Sequence, residues 1–262
     1  MSDRKPLPGK FVWFELVSTD AKKAQAFYGQ VLGWKAVSFP MGSSTYDTIY
    51  AGDTADTMIG GYAPPRNGRH PSHWISYVSV EDVDATVRAA AENGGKVVEP
   101  PSDIPGVGRT AGIADPQGAE LYLLKNITGD PVDVPATPSG RFFWDELHTS
   151  DPTKALTFYE KVLRFYHRSM DMGPGGTYHI LSRSGVDRGG VTSRLAPGEP
   201  PHWLPYVVVD DTDETIARAK NLGATIPMAP EYIPGVGRFG VLQDPTGAAL
   251  AIMKPLPREM QH

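Results

Sequence analysis

The chain has 262 residues, which at ordinary domain sizes is enough for about two compact units, each with its own core. Its formal net charge of −5 excludes a broadly basic surface, so we expect no nucleic-acid partner. The lack of cysteine excludes disulfides, thiolate metal sites and cysteine nucleophiles. Residues 1–10 have no apolar core of signal-peptide length, and no later stretch reaches the roughly 18 apolar residues of a membrane span. We therefore expect a cytoplasmic protein with no membrane partner.

The first predicted elements are a strand and an amphipathic helix. Residues 11–18 alternate in polarity as a strand does, and Asp20 is placed to cap a helix that Gly33 ends. Apolar residues recur at intervals of three and four between these two positions, which favours a helix with one buried face. Three short strands are predicted to follow, around residues 34–39, 45–51 and 57–62.

The same order of elements then restarts. Residues 72–80 are strand-like, residues 82–93 are helix-like, and Gly94-Gly95 ends the helix. Three more strands complete this second βαβββ module. The first half of the chain is therefore predicted to be two similar modules in series.

The second half of the chain repeats the first. Phe11-x-Trp13-x-Glu15-Leu16 recurs 131 residues later as Phe142-x-Trp144-x-Glu146-Leu147. His73-Trp74 recurs 129 residues later as His202-Trp203, so a net deletion of two residues in one loop relates the two registers. The repeat predicts four βαβββ modules in an α+β protein.

A segment rich in proline and glycine separates the two copies. Pro131, Pro135 and Pro138 resist both helix and sheet, which suits a semi-rigid linker. We predict a first domain at residues 9–126, a linker at 127–140 and a second domain at 141–256.

Three features resemble the vicinal oxygen chelate superfamily, which includes glyoxalases, bleomycin-resistance proteins and dioxygenases. They are the paired βαβββ order, the helix with Phe27-Tyr28, and Asp115-Pro116-x-Gly118 before the last strand. The motifs Trp-x-Glu-Leu, Pro-x-His-Trp and Ile-Pro-Gly-Val-Gly-Arg are similar to those of a tandem bacterial group described as glyoxalase-like or as hydroxylases. The resemblance covers nearly the whole chain. It implies two glyoxalase-like domains, in each of which a curved mixed sheet forms a cup with helices outside.

Better-known members of the superfamily hold a divalent metal in the cup through His and Glu side chains. The residues at the matching positions here are Trp13, Ile75 and Tyr122 in the first copy, and Trp144, Leu204 and Ala251 in the second. A metal of this kind needs several such donors converging on one point, and these positions do not supply them. We therefore expect no catalytic metal and no cofactor.

A carboxylate and an imidazole remain as candidate catalytic groups in each copy. Strand residues two apart share a face, which places Glu15 and Glu146 toward the cups together with the matched tryptophans. The same rule places His73 and His202 there. In a partly apolar pocket, such pairs are suited to proton transfer. The alternative is a structural hydrogen bond or ion pair in each copy.

Other side chains are expected to contact a ligand. They face the cups or lie in the loops at the cup mouths: Trp13, Tyr77, Arg109, Tyr122, Trp144, His148, Tyr206 and Arg238. Arg109 and Arg238 fit surface salt bridges equally well. His148 has only Val17 as its counterpart, so we expect the second cup to be the more polar one. Trp74 and Trp203 directly follow His73 and His202, so their side chains point to the opposite face of each strand. This predicts that they pack toward the helices.

Three functions remain open. The first is a metal-independent enzyme, a lyase, isomerase or hydroxylase-like protein, that uses a Glu/His pair on a small organic molecule. The second is a binding module of the bleomycin-resistance type that sequesters an aromatic or cationic compound. The third is a structural or regulatory partner protein. The chain is expected to be a monomer or a homodimer.

Overall fold

The computed structural model describes residues 4–41, 44–65 and 72–256. The elements of the first copy are β1 (Phe11–Val17), α1 (Ala21–Leu32), β2 (Lys35–Met41), β3 (Ser44–Tyr50), β4 (Met58–Ala63), β5 (His73–Ser79), α2 (Val83–Glu92), β6 (Lys96–Ile104), β7 (Gly108–Ala114) and β8 (Glu120–Asn126). Those of the second are β9 (Phe142–His148), α3 (Pro152–Leu163), β10 (Tyr166–Asp171), β11 (Thr177–Arg183), β12 (Val186–Thr192), β13 (His202–Val208), α4 (Thr212–Asn221), β14 (Thr225–Ile233), β15 (Gly237–Gln243) and β16 (Ala249–Pro255).

Each copy forms one eight-stranded mixed sheet, and the two sheets have the same strand order. Sheet A runs β2-β3-β4-β1-β5-β8-β7-β6, and sheet B runs β10-β11-β12-β9-β13-β16-β15-β14. Within a module the first strand pairs in parallel with the last, as β1 does with β4, and the other neighbours are antiparallel. The predicted α+β fold of four βαβββ modules is confirmed.

Helix α1 begins and ends where the sequence predicts. The carboxylate of Asp20 accepts the backbone N–H of Lys23 at 3.0 Å, and Gly33 ends α1 with a φ of 71°. Asp151 caps α3 in the same way, ahead of Pro152 in the first turn. Local capping chemistry therefore defines these boundaries in both copies.

Packing divides the chain into two units. Unit 1 comprises residues 1–13, 75–133 and 144–204, and unit 2 comprises residues 14–74, 134–143 and 205–262. In unit 1, α2 packs on α3; in unit 2, α1 packs on α4. The predicted boundaries of domains and linker remain predictions. Within the described ranges, no helix combines the length and apolar character that crossing a membrane requires.

The Asp-Pro-x-Gly turns and the Phe-Tyr pairs of the helices are linked by hydrogen bonds. In unit 1, Asp115 accepts three consecutive backbone N–H groups of its own turn and the hydroxyl of Tyr159, which lies 3.3 Å away. The indole N–H of Trp203 donates to the same hydroxyl at 3.1 Å. In unit 2, Trp74 donates to Tyr28 at 3.3 Å. Both tryptophans are buried against helix residues, as their parity predicts.

Candidate functional site

A buried carboxylate lies at the centre of a polar cluster on β9, in unit 1. Glu146 is only 8% exposed. Its Oε1 atom lies 2.8 Å from Nε2 of His148, two residues along the same strand, and Glu146 also accepts the hydroxyl hydrogen bond of Tyr178 on β11. The two-residue spacing puts Glu146 and His148 on one face, as the sequence predicts.

His148 has a hydrogen-bond acceptor at each ring nitrogen. Its Nδ1 atom lies 2.6 Å from the carbonyl oxygen of Arg194, and its Nε2 atom faces the Glu146 carboxylate. A ring that donates at both nitrogens is an imidazolium. Burial alone lowers the pKa of His148, but the carboxylate of Glu146 and the Arg194 carbonyl outweigh that effect and raise it above the ordinary value.

A second imidazole stacks on the first. The ring of His202, at the start of β13, has its centre 5.0 Å from that of His148, with an interplanar angle of 23°. Its Nδ1 atom donates to the carbonyl of Pro200 at 3.0 Å, so in the neutral ring Nε2, which lies 3.7 Å from a Glu199 carboxylate oxygen, carries the lone pair. Burial lowers the pKa of His202, and the charge of His148 lowers it further. The stacked pair therefore combines His148, whose pKa is raised, with His202, whose pKa is lowered.

Tyr178 and Trp144 extend this cluster through two further hydrogen bonds. The indole N–H of Trp144 donates to the Tyr178 hydroxyl at 2.9 Å, which leaves the hydroxyl proton for Glu146. Burial, then the Glu146 charge, raise the pKa of Tyr178 well above its ordinary value, so it stays a donor. Gly190 on β12 makes the approach possible, because a Cβ there would lie 1.9 Å from the hydroxyl oxygen.

The first copy has a related arrangement at the matching positions, in unit 2. Tyr46 donates to Glu15 at 2.8 Å, and a Cβ on Gly61 would lie 2.2 Å from the Tyr46 hydroxyl oxygen. Position 17 is a buried valine where the second copy has His148. His73 is half-buried at the start of β5.

The histidine paired with Glu146 is not the one we expected. The hydrogen bond goes to His148, and His202 contacts that ring by stacking. The reason is that His148 lies on the same strand and face as Glu146, whereas His202 begins another strand. The roles predicted for all these residues remain predictions.

The remaining predicted ligand contacts lie in aromatic or partly buried surroundings. In unit 1, the rings of Tyr77 and Tyr122 have their centres 5.1 Å apart, and Tyr122 donates to Glu99 at 3.1 Å. Trp13 is partly exposed on β1. In unit 2, the buried ring of Tyr206 lies among aromatic residues, its centre 6.2 Å from that of Phe239.

The two arginines expected in loops lie instead at the starts of β7 and β15, and carboxylates hold both of them. Arg109 makes a two-point ion pair with Asp84 on α2, at 2.6 and 2.8 Å, and also contacts Asp103. Arg238 pairs with Asp213 on α4, with one contact of 2.6 Å. This is the arrangement that the salt-bridge alternative predicts. A ligand that bound either guanidinium would have to compete with these carboxylates.

The residues at the positions where the resemblance places metal ligands are not the usual metal-binding side chains. An indole, an aliphatic side chain and a phenol stand there in the first copy; an indole and two aliphatic side chains stand there in the second. In the described part of the chain, no group of three or more His, Asp or Glu side chains is arranged to hold a metal ion.

Reasoning from the sequence missed two parts of this cluster. The tyrosines that bind the glutamates are one: Thr45-Tyr46 recurs as Thr177-Tyr178, and this repeated pair was the available signal. The other is Asp145, the fully buried residue that precedes Glu146. Burial raises the pKa of Asp145 to about 8, against the smaller opposing effect of the nearby Ser76 hydroxyl.

Comparison with known families agrees with this architecture. The profile of the Glyoxalase/Bleomycin resistance protein/Dioxygenase superfamily matches residues 10–123 and again residues 144–252. The chain belongs to this superfamily. The resemblance inferred from the sequence motifs is thereby confirmed.

Two kinds of full-length relative are similar to this superfamily member. A Mycobacterium tuberculosis protein named as a glyoxylase, CFP32, is 36% identical over 252 residues, which cover 94% of this chain and 95% of the relative. The anthracycline biosynthesis protein DnrV of Streptomyces peucetius is 32% identical over 266 residues, 94% of each chain.

Solved structures share the fold at low identity. The Mn(II)-bound glyoxalase from Novosphingobium aromaticivorans matches with a TM-score of 0.64 and 19% identity, over 97% of this chain and 84% of that one. The 2,3-dioxygenase LapB from Pseudomonas sp. KL28 matches with a TM-score of 0.62 and 12% identity, over 95% and 94%. At these identities the likeness shows the fold alone.

Proposed function

We propose that this superfamily member is an enzyme that transfers protons on a small organic molecule, with its active site in the second copy and no catalytic metal. One observation carries the proposal: His148 and His202 are stacked, and their surroundings shift their pKa values in opposite directions. Groups separated in this way are suited to serve as acid and base near neutral pH.

His202 is the base in this scheme. Its neutral ring keeps Nδ1–H on the Pro200 carbonyl, and Nε2 takes the proton from the substrate. The electron pair of the broken bond stays on the substrate. His148 and Glu146 do not contact the substrate in this step. They act through His202 and are positioning residues.

The Glu146–His148 pair makes that proton transfer feasible. A proton on His202 would put two positive rings 5.0 Å apart, centre to centre. If the Nε2 proton of His148 moves across the 2.8 Å contact to Glu146, one positive charge remains on the stacked pair. The three groups then titrate as a coupled set.

The names of the relatives support a small-molecule substrate. One is named as a glyoxylase and another for anthracycline biosynthesis, and both extend over nearly the whole chain. The first copy favours a second candidate function, binding without turnover. Its Glu15–Tyr46 pair persists, but Val17 stands where His148 would be.

Solvent-deuterium exchange tests the proposal whatever the final product is. Carbon acids that raise the melting temperature of the protein would be incubated with it in D2O and followed by NMR. We expect exchange with the native protein, and a loss of roughly 100-fold or more with His202→Asn. The matched variant His73→Asn in the first copy should retain the rate.

Two results would contradict the proposal. Ligands that bind tightly but never exchange would favour sequestration instead. Near-stoichiometric zinc, nickel, manganese or iron in the purified protein, removed together with the activity by chelation, would contradict the metal-independent mechanism.

A further inference from the structure

A second histidine pair lies on the opposite face of sheet B, away from Glu146. His167 on β10 and His179 on β11 are diagonal neighbours, because Ser169 is the residue directly opposite His179 in the ladder. Their ring centres are 5.8 Å apart, with an interplanar angle of 78°. Residues 166, 168 and 170 alternate with this face, so the pair is separate from the site proposed above.

Both rings are already oriented through Nδ1. The Nδ1 atom of His167 lies 2.5 Å from a carboxylate oxygen of Glu160 on α3, so it carries a proton and leaves the Nε2 lone pair free in the neutral ring. The Nδ1 atom of His179 lies 2.8 Å from the Ser169 hydroxyl. A carboxylate behind a histidine is the usual support for a metal-bound imidazole.

The distance between the two rings allows them to bind one shared ion. A ring centre lies about 3.2 Å from a metal bound at ordinary zinc–nitrogen distances, so two rings on one ion have centres at most about 6.4 Å apart. The observed 5.8 Å is within that limit.

The first copy lacks both histidines and the glutamate, and keeps only the serine, as Ser38. By strand register Ala36 matches His167 and Asp47 matches His179, while Gly29 matches Glu160 through the helix repeat. The duplicated scaffold therefore folds without these side chains, and they are not needed to build the sheet edge.

We propose that His167 and His179 bind a borderline divalent cation such as Zn²⁺ or Cu²⁺ through their Nε2 atoms, with Glu160 orienting His167. The site supplies two side-chain ligands, and water completes the coordination of the ion at this partly exposed edge. This agrees with the described residues holding no cluster of three or more ligating side chains.

Metal titration of the chelator-treated full chain tests the site. With ZnCl2 in a calorimeter, we expect one ion per chain, and loss of that binding in His167→Ala, which introduces the first copy's residue. Glu160→Gln keeps both ligands, and should weaken binding about 10- to 100-fold. The control His73→Asn should bind as the native protein does.

Paramagnetic broadening identifies the ligands without a variant. Substoichiometric CuCl2 should selectively broaden the ring proton signals of His167 and His179. Unchanged zinc affinity in His167→Ala, or selective broadening of His148 and His202 instead, would overturn the proposal.

Discussion

Glu15 and Glu146 occupy the same place in the two copies, but their surroundings differ. Each is buried and accepts a tyrosine hydroxyl above a glycine. Glu146 also pairs with His148 on its own strand, where the first copy has Val17. The Tyr–Glu pair therefore belongs to the duplicated scaffold, whereas His148 adds charge to one copy and makes the neighbouring imidazole chemically distinct.

The two copies also differ at the residue that precedes each glutamate. Where the first copy has the buried Phe14, the second has the fully buried Asp145. A carboxyl group enclosed in this way is expensive to bury in its charged form, and it persists in unit 1 as the neutral acid below about pH 8. Matched substitutions in the two copies separate what the scaffold needs from what the second copy adds.

Replacing Asp145 should have the largest effect on stability. The pKa of Asp145 is raised to about 8 in the folded chain, so the folded state binds more protons than the unfolded state between roughly pH 4 and 8. The free energy of unfolding therefore falls as pH rises through that window. Asp145→Asn removes this penalty, and we expect a gain of about 2–4 kcal/mol at pH 8 in urea unfolding.

The matching control is Phe14→Leu in the first copy, which changes packing without a titratable group. Its difference from the native protein should not depend on pH. An Asp145→Asn variant whose stability fell with pH as steeply as that of the native protein would contradict the assignment.

Replacing His148 with the first copy's valine should reveal the ion pair. The raised pKa of His148 means that its stabilisation is fully present below the unfolded value of about 6.5 and is lost as pH rises through the folded value. We expect His148→Val to lower the free energy of unfolding by about 1.5–3 kcal/mol at pH 5.5, and by less at pH 9. Equal losses at both pH values would show that the interaction is packing alone.

Gly190→Ala and Gly61→Ala separate scaffold from chemistry. In each case a Cβ collides with a tyrosine hydroxyl, so both variants should lose about 1–3 kcal/mol of stability. Only Gly190→Ala displaces Tyr178 from Glu146, so only that variant should shift the ring signals of His148 in NMR spectra. An equal shift in Gly61→Ala would mean that the two sites are coupled.

Tyr159→Phe and Tyr28→Phe should have the smallest effects, and these should be similar. Each leaves a buried tryptophan N–H without its hydroxyl acceptor, which costs about 1 kcal/mol. Thermal unfolding of the two variants measures this directly. A much larger loss of stability in one variant would show that this hydrogen bond does not stabilise the two units equally.

Much of the architecture was predictable because it depends on local chemistry and on repetition. Asp20 and Gly33 mark the ends of a helix by capping, and the alternation along β1 assigns Glu15 a face. The positions of Trp74 and Trp203 along their strands correctly predicted that these side chains pack toward the helices. The repeat then extended each of these predictions to the second copy.

The site was predicted only in part. Glu146 and His148 follow from their two-residue spacing on one strand, but the partner of Glu146 was expected to be His202. Tyr178 and the carbonyls of Arg194 and Pro200 reach the cluster from other strands and a loop. Their approach depends on register and loop path, which the pattern of residue types along the chain does not encode.

The fold and the duplication follow from the amino-acid sequence, because these depend on periodicity, capping and residue type. Which imidazole pairs with Glu146, which one stays neutral, and how deeply Asp145 is enclosed are set by the tertiary structure. Protonation depends on burial and on distances of a few ångströms between strands far apart in sequence, and only the folded chain sets those distances.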